Sequence, residues 1–169
     1  MDTFELKATP VEGLWELARL DSPSNEAPDF RVEQLARWLA VKIDPTYPLE
    51  SKGGTLESKG GNGFYSHHMQ STGEQGWHID GYSSHCNYIM LMCHKEPTTE
   101  FSNCPLLVLG ANRNTRIYER EELQDFKAEV GVVYLVYYSI LHRAPVEFSY
   151  DRPFSRMGIH WPKEIYISN

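Results

Sequence analysis

Residues 131–142, GVVYLVYYSILH, decide the fold class of this chain. Val and Tyr dominate the stretch, and β-branched and aromatic residues favour strands. Two further stretches carry a similar pattern. Residues 87–93, NYIMLMC, form an almost continuous apolar run that is typical of a strand buried on both faces, and residues 154–161, FSRMGIHW, end before Pro162. The sequence therefore predicts a mainly β protein whose strands lie in its second half.

Two helices are predicted ahead of these strands. Thr9, Pro10 and Glu12 suit the N-cap, N1 and N3 positions of a first helix, and the apolar residues that follow recur at helical spacing. Asp29 is placed to cap a second helix over residues 30–43, which has the same periodicity. Helices followed by a series of short strands predict a β barrel or sandwich with helices packed outside it.

Length and composition favour one globular domain. The chain has 169 residues, of which 41% are hydrophobic and 23% charged. We expect residues 1–48 to form an N-terminal helical support and residues 67–162 to form the β core. Between them, residues 49–66 are expected to form a flexible Gly-rich loop, because residues 49–62 repeat the sequence LESKGG.

Charge and cysteine content limit the partners and the compartment. The formal net charge of −7 disfavours a role that coats nucleic acid, although it does not exclude a local basic groove. Three cysteines without a CxxC pair predict neither a disulfide framework nor a thiolate zinc site. The chain has no apolar run long enough to span a bilayer, and its N-terminus lacks the features of a signal peptide. These features predict a cytoplasmic protein without a membrane partner.

A possible metal site begins in the motif Gly76-Trp77-His78-Ile79-Asp80. Alternate residues of a strand point to one face, so His78 and Asp80 are expected side by side. His142, at the end of the 131–142 stretch, is the expected third ligand on a neighbouring strand. Two His and one carboxylate on one face suit non-haem iron(II), because they leave adjacent coordination positions open.

The H-x-D…H pattern, with Arg on the final strand, resembles the iron(II)- and 2-oxoglutarate-dependent dioxygenases. The resemblance covers residues 63–162 and implies a double-stranded β-helix, the jelly roll that is also found in cupins. It implies that His78, Asp80 and His142 bind iron and act in catalysis. It also implies that an Arg binds the distal carboxylate of 2-oxoglutarate. Arg156 is preferred for this role because it lies inside the predicted last strand, and Arg152 is the second candidate.

Several other residues are expected near this site or in the core. The side chains of Asn87 and Tyr88 are candidates for hydrogen bonds to 2-oxoglutarate. The candidate substrate contacts are Trp77, Tyr82 and His160. By contrast, Tyr134 is expected in the core, and His94 at the surface or at a strand edge.

The resemblance implies an oxygenase that uses O2 and 2-oxoglutarate to hydroxylate or oxidatively demethylate a substrate, with release of succinate and carbon dioxide. The substrate class stays open between a small molecule and a residue on a macromolecule, and the sequence does not indicate an oligomeric state. Two alternatives remain at this stage. One is a cupin-like metal enzyme that does not use 2-oxoglutarate and has a structural Arg156. The other is a non-catalytic jelly-roll binding module in which H-x-D only lines a polar pocket.

Overall fold

A computed structural model of the chain describes residues 6–23, 29–43, 49–52, 55–58, 63–64, 77–79, 88–103, 125–137, 139–144 and 154–159. Strands dominate these residues, which form eleven strands and one helix. In chain order they are β1 (Lys7–Ala8), β2 (Leu14–Arg19), α1 (Phe30–Ile43), β3 (Leu49–Lys52), β4 (Thr55–Ser58), β5 (Gly63–Phe64), β6 (Tyr88–Cys93), β7 (Glu100–Ser102), β8 (Phe126–Lys127), β9 (Val132–Tyr137), β10 (Leu141–Arg143) and β11 (Phe154–Ile159).

The strands form three antiparallel sheets. A five-stranded sheet has the order β1-β2-β9-β6-β11, a three-stranded sheet has the order β10-β7-β8, and a second three-stranded sheet has the order β3-β4-β5. The predicted mainly β class is therefore confirmed. No helix among the described residues has the length and apolarity needed to cross a bilayer.

The two central strands of the large sheet separate two hydrophobic cores. Alternate residues of a strand face opposite sides, and both β6 and β9 are apolar on both sides. One side packs against α1 and buries Val32, Leu35, Ala36, Leu39, Tyr88, Met90, Met92, Val133 and Leu135. The other side packs against the small sheet of β7, β8 and β10, and buries Ile89, Leu91, Cys93, Phe101, Val132, Tyr134, Val136 and Phe154. We call this second region the inter-sheet core.

The helix α1 begins and ends as predicted. Asp29 caps it: the Arg31 backbone N–H donates to Asp29 Oδ1 at 3.0 Å, and the Val32 N–H donates to the Asp29 carbonyl oxygen at 3.0 Å. The Asp29 N–H donates to the buried hydroxyl of Ser155 on β11 at 2.9 Å. The cap therefore ties the start of the helix to the edge strand of the large sheet.

The first predicted helix is wrong, because its residues form a turn followed by β2. Gly13 has a φ of 83°, a conformation that ends any helical path at this point. The pairing of β2 with β9 contains a β-bulge between Glu16 and Ala18. Leu14 and Leu17 are buried in different cores on opposite sides of the large sheet, and their three-residue spacing coincides with that of a helix face. The support contributed by residues 1–48 is therefore only partly helical.

The expected Gly-rich loop also has a different structure. Parts of residues 49–64 form the sheet β3-β4-β5, in which Leu49 pairs with Ser58 and Lys52 with Thr55. The two copies of the repeated sequence face each other as neighbouring antiparallel strands. The segment therefore contains regular strands in place of an irregular loop.

Candidate functional site

The structure brings His78 and His142 together. They form an antiparallel bridge, in which the His78 N–H donates to the His142 carbonyl at 2.9 Å and the His142 N–H donates to the His78 carbonyl at 2.9 Å. Directly opposed residues of this kind project their side chains to the same face. The ring centroids of the two imidazoles are 4.5 Å apart, with an interplanar angle of 53°. Two residues distant in sequence thus place two metal-ligating groups side by side, and both side chains are half-buried.

A hydrogen bond fixes the ring of His142. Its Nδ1 lies 2.9 Å from the carbonyl oxygen of Ile140. A carbonyl only accepts, so Nδ1 carries the proton and the lone pair of the neutral ring is on Nε2. Metal-binding His residues typically donate their second ring N–H to a carbonyl or carboxylate in this way. His142 is therefore held in the tautomer that a metal ion requires of an Nε2 ligand.

Five of the predicted site residues lie outside the described part of the chain. These are Asp80, Asn87, Tyr82, Arg152 and His160. Within the part that is described, no three His, Cys, Asp or Glu side chains form a group able to hold a metal ion. Of the three predicted ligands, the described part of the chain therefore contains His78 and His142.

Arg156 lies inside the last strand, as predicted. It pairs with Leu91 of β6, which in turn pairs with Tyr134 of β9. Paired residues share a face of the sheet, and Leu91 and Tyr134 both belong to the inter-sheet core. Arg156 therefore extends from the same face, and its Nε atom is buried. This is the side of the large sheet on which the small sheet packs.

Tyr88, a predicted contact of 2-oxoglutarate, lies on the α1 side of β6, opposite the side from which Arg156 extends. Its side chain is buried in the core beneath α1, where its ring centroid lies 5.3 Å from that of Tyr137. Because side chains alternate along a strand, Ile89 and Leu91 take the positions that face the inter-sheet core. Tyr88 is therefore a core residue.

Trp77, a predicted substrate contact, is buried. The side chain has no exposed surface. The guanidinium Cζ of Arg143 lies 4.6 Å from the Trp77 ring centroid. Arg143 Nε donates to Glu100 Oε2 at 2.5 Å, and both of these charged side chains are buried. Sequence reasoning missed Arg143 and Glu100, and the one available indication was that Arg143 directly follows His142.

His94 is buried, which corrects the expected surface position. Its Nε2 lies 2.7 Å from Ser155 Oγ. Ser155 Oγ also accepts the N–H of Asp29. His94, Ser155 and Asp29 thus form a buried hydrogen-bonded chain on the α1 side of the large sheet, away from the His78–His142 pair.

Aromatic residues connect His142 to the inter-sheet core. The Phe101 ring centroid lies 6.2 Å from that of His142 and 6.4 Å from that of Tyr134. The hydroxyl of Tyr134 accepts the N–H of Glu129 at 3.1 Å. Burial raises the pKa of Tyr134 to about 12, and the hydrogen bond from Glu129 opposes this rise. Tyr134 is therefore a neutral core residue at any physiological pH, as the sequence predicts.

Comparison of the chain with protein-family models, curated proteins and solved structures finds no match.

Proposed function

We propose that the protein is a non-haem iron(II)- and 2-oxoglutarate-dependent oxygenase. The observation that carries the proposal is the His78–His142 pair. Two imidazoles on neighbouring antiparallel strands lie with ring centroids 4.5 Å apart. One of them donates Nδ1–H to a backbone carbonyl. This combination is typical of two His ligands of one metal ion.

The sheet arrangement supports a double-stranded β-helix. The His78–His142 bridge places residues 77–79 beside β10, on the side away from β7. A small sheet of four antiparallel segments then packs against the large sheet through the inter-sheet core. Two antiparallel sheets that pack over one core suit a jelly roll, with His78 and His142 on two adjacent segments of the smaller sheet.

The residues of the site fit the iron centre. We propose that His78, His142 and Asp80 hold the iron, because Asp80 is separated from His78 by one residue and strand periodicity places both on one face. When bound, iron(II) would coordinate 2-oxoglutarate and supply the activation of O2. Each turnover would convert 2-oxoglutarate and O2 to succinate and carbon dioxide, with one oxygen atom inserted at a substrate C–H bond.

The protein's own groups orient these components. The carbonyl of Ile140 holds His142 in the Nδ1–H tautomer. Arg156 would bind the distal carboxylate of 2-oxoglutarate through its planar guanidinium, which matches a carboxylate with two hydrogen bonds. Leu91 and Tyr134, which pair in register beside Arg156, are buried and exclude water from this side of the large sheet. The substrate would be a small molecule or a residue on a macromolecule.

The test is an anaerobic titration of metal-free protein with iron(II) and then 2-oxoglutarate. We expect a weak, saturable visible charge-transfer band from the iron–2-oxoglutarate chelate. His142→Ala should abolish the band. His94→Gln is the matched control and should retain it, because His94 lies on the other side of the large sheet.

Two results would overturn the proposal in different ways. Bound iron without the band would indicate a cupin-like metal enzyme that does not use 2-oxoglutarate. The absence of iron binding by the wild-type protein would leave a non-catalytic binding module.

A further inference from the structure

The His78–His142 bridge also fixes which residues meet on the opposite face of the small sheet. In an antiparallel pair centred on His78 and His142, Trp77 lies across from Arg143. Arg143 in turn pairs with Glu100 of β7. We call Trp77, Arg143 and Glu100 the back row. Strand alternation places it on the face opposite His78 and His142.

Arg143 is the central member of the back row. Its guanidinium Cζ lies 4.6 Å from the ring centroid of Trp77 on one side, and its Nε is 2.5 Å from Glu100 Oε2 on the other. The exposed fractions are 0% for Trp77, 4% for Arg143 and 9% for Glu100. One buried cation therefore connects three neighbouring strands, two of which carry the paired His residues.

Stability alone does not explain why a buried ion pair occupies this position. The desolvation of two charges offsets much of their attraction, and apolar residues of similar volume often serve a core equally well. Buried charges do, however, specify one register over another, since a slipped strand leaves a charge without its partner. A slip of one residue would move the His78 side chain to the opposite face of the sheet.

We propose that Arg143 is a positioning residue that holds the strand segment of His78 in register with β10, through its contacts with Trp77 and Glu100. In the described residues, this segment joins β10 by the two backbone hydrogen bonds of one bridge. The back row adds a side-chain contact one residue away from each imidazole. The consequence for metal binding rests on the proposed function, whereas the placement of the two imidazoles does not.

The experiment measures the imidazole pair directly in metal-free protein. Nuclear Overhauser contacts between the rings of His78 and His142, and their imidazole nitrogen shifts, are recorded by NMR well below the melting temperature. Arg143→Met keeps much of the side-chain stem but removes the cation. We expect it to lose the ring-to-ring contacts and to shift both imidazole signals while the protein stays folded by circular dichroism.

Two further variants separate positioning from general damage. Lys127→Met is the matched control. Lys127 lies on β8, where it pairs in register with Glu100, and it forms an exposed ion pair with Glu96. Its replacement should leave the signals of both imidazoles unchanged. Arg143→Lys retains a cation and should restore part of the ring contact. If Arg143→Met does not fold, Glu100→Gln becomes the deciding variant, and we expect it to weaken the same contacts.

The proposal is overturned if Arg143→Met, or Glu100→Gln in its place, preserves the ring contacts and imidazole shifts of the wild type. A titration with iron(II) then connects positioning to the proposed function. Here Arg143→Met should weaken iron binding by about 10- to 100-fold, as expected for residues that support metal ligands. A wild-type protein that binds no iron would refute the proposed function, and the NMR result would still decide the role of Arg143.

Discussion

Replacing Tyr134 with Phe should change the stability of the protein in opposite directions at neutral and at alkaline pH. At pH 7 the phenol is neutral in the folded and unfolded states. The substitution then removes the acceptor of the Glu129 N–H, which is 3.1 Å from the hydroxyl oxygen. A typical intramolecular hydrogen bond contributes about 1 kcal/mol, so the variant should be less stable than the wild type by about this amount.

At high pH the order should reverse. Burial raises the folded-state pKa of Tyr134 to about 12, from an ordinary value of 10.0. Above pH 10 the unfolded wild type therefore loses a proton that the folded wild type keeps, and its stability falls as the pH rises. The loss grows by about 1.4 kcal/mol per pH unit and reaches about 2 kcal/mol at pH 12. The Tyr134→Phe variant has no phenolic proton to lose at this position, so the two stability curves should cross at about pH 10.7.

The assay is guanidinium unfolding of both proteins between pH 7 and pH 11.5, followed by tryptophan fluorescence. All other titrating groups are common to the two proteins, so the difference in the free energy of unfolding isolates position 134. A difference that stays constant from pH 9 to pH 11.5 would refute the reasoning, because it would mean that the buried phenol ionises as readily as an unfolded one.

Substitutions at four further positions test the candidate site and the structure around it. Arg156→Ala should raise the 2-oxoglutarate concentration for half-maximal turnover by about tenfold or more. If Arg152→Ala does this instead, Arg152 holds the cosubstrate. Asn103→Ala removes the bonds from the Glu12 N–H and to the Pro10 carbonyl, at 2.9 Å and 2.7 Å, and should lower the melting temperature by about 2–4 °C. Asp29→Ala should cost about 1 kcal/mol of unfolding free energy, whereas Asp29→Asn, which keeps a cap, should cost clearly less.

Local patterns predicted the elements whose structure depends on nearby residues. The second helix and its Asp29 cap follow from periodicity and side-chain chemistry within 14 residues. The strands β6 and β9 follow from apolar runs that are buried on both faces. The same approach failed at β2, because Leu14 and Leu17 are buried on opposite sides of the sheet and yet have the spacing of a helix face.

The sequence predicted that His78 and His142 would lie together, but it did not predict the side chains that pack around them. The H-x-D motif and the strand that ends at His142 indicated two imidazoles that the structure brings together. Nothing near Glu100 in the sequence indicated that it would meet Arg143, since their contact depends on the register of distant strands. The sequence also did not indicate that Tyr88 faces α1, because an apolar run does not tell which of its sides faces which core.

The pairing of His78 with His142 has a consequence for the order in which structure forms during synthesis of the protein. During synthesis, His142 leaves the ribosome about 60 residues after His78, a delay of several seconds at about 5–20 residues per second. Throughout that interval the segment of His78 has no β10 beside it, and its backbone N–H and C=O groups face water or other chains. The two imidazoles therefore cannot come together until β10, in the last third of the protein, has been made.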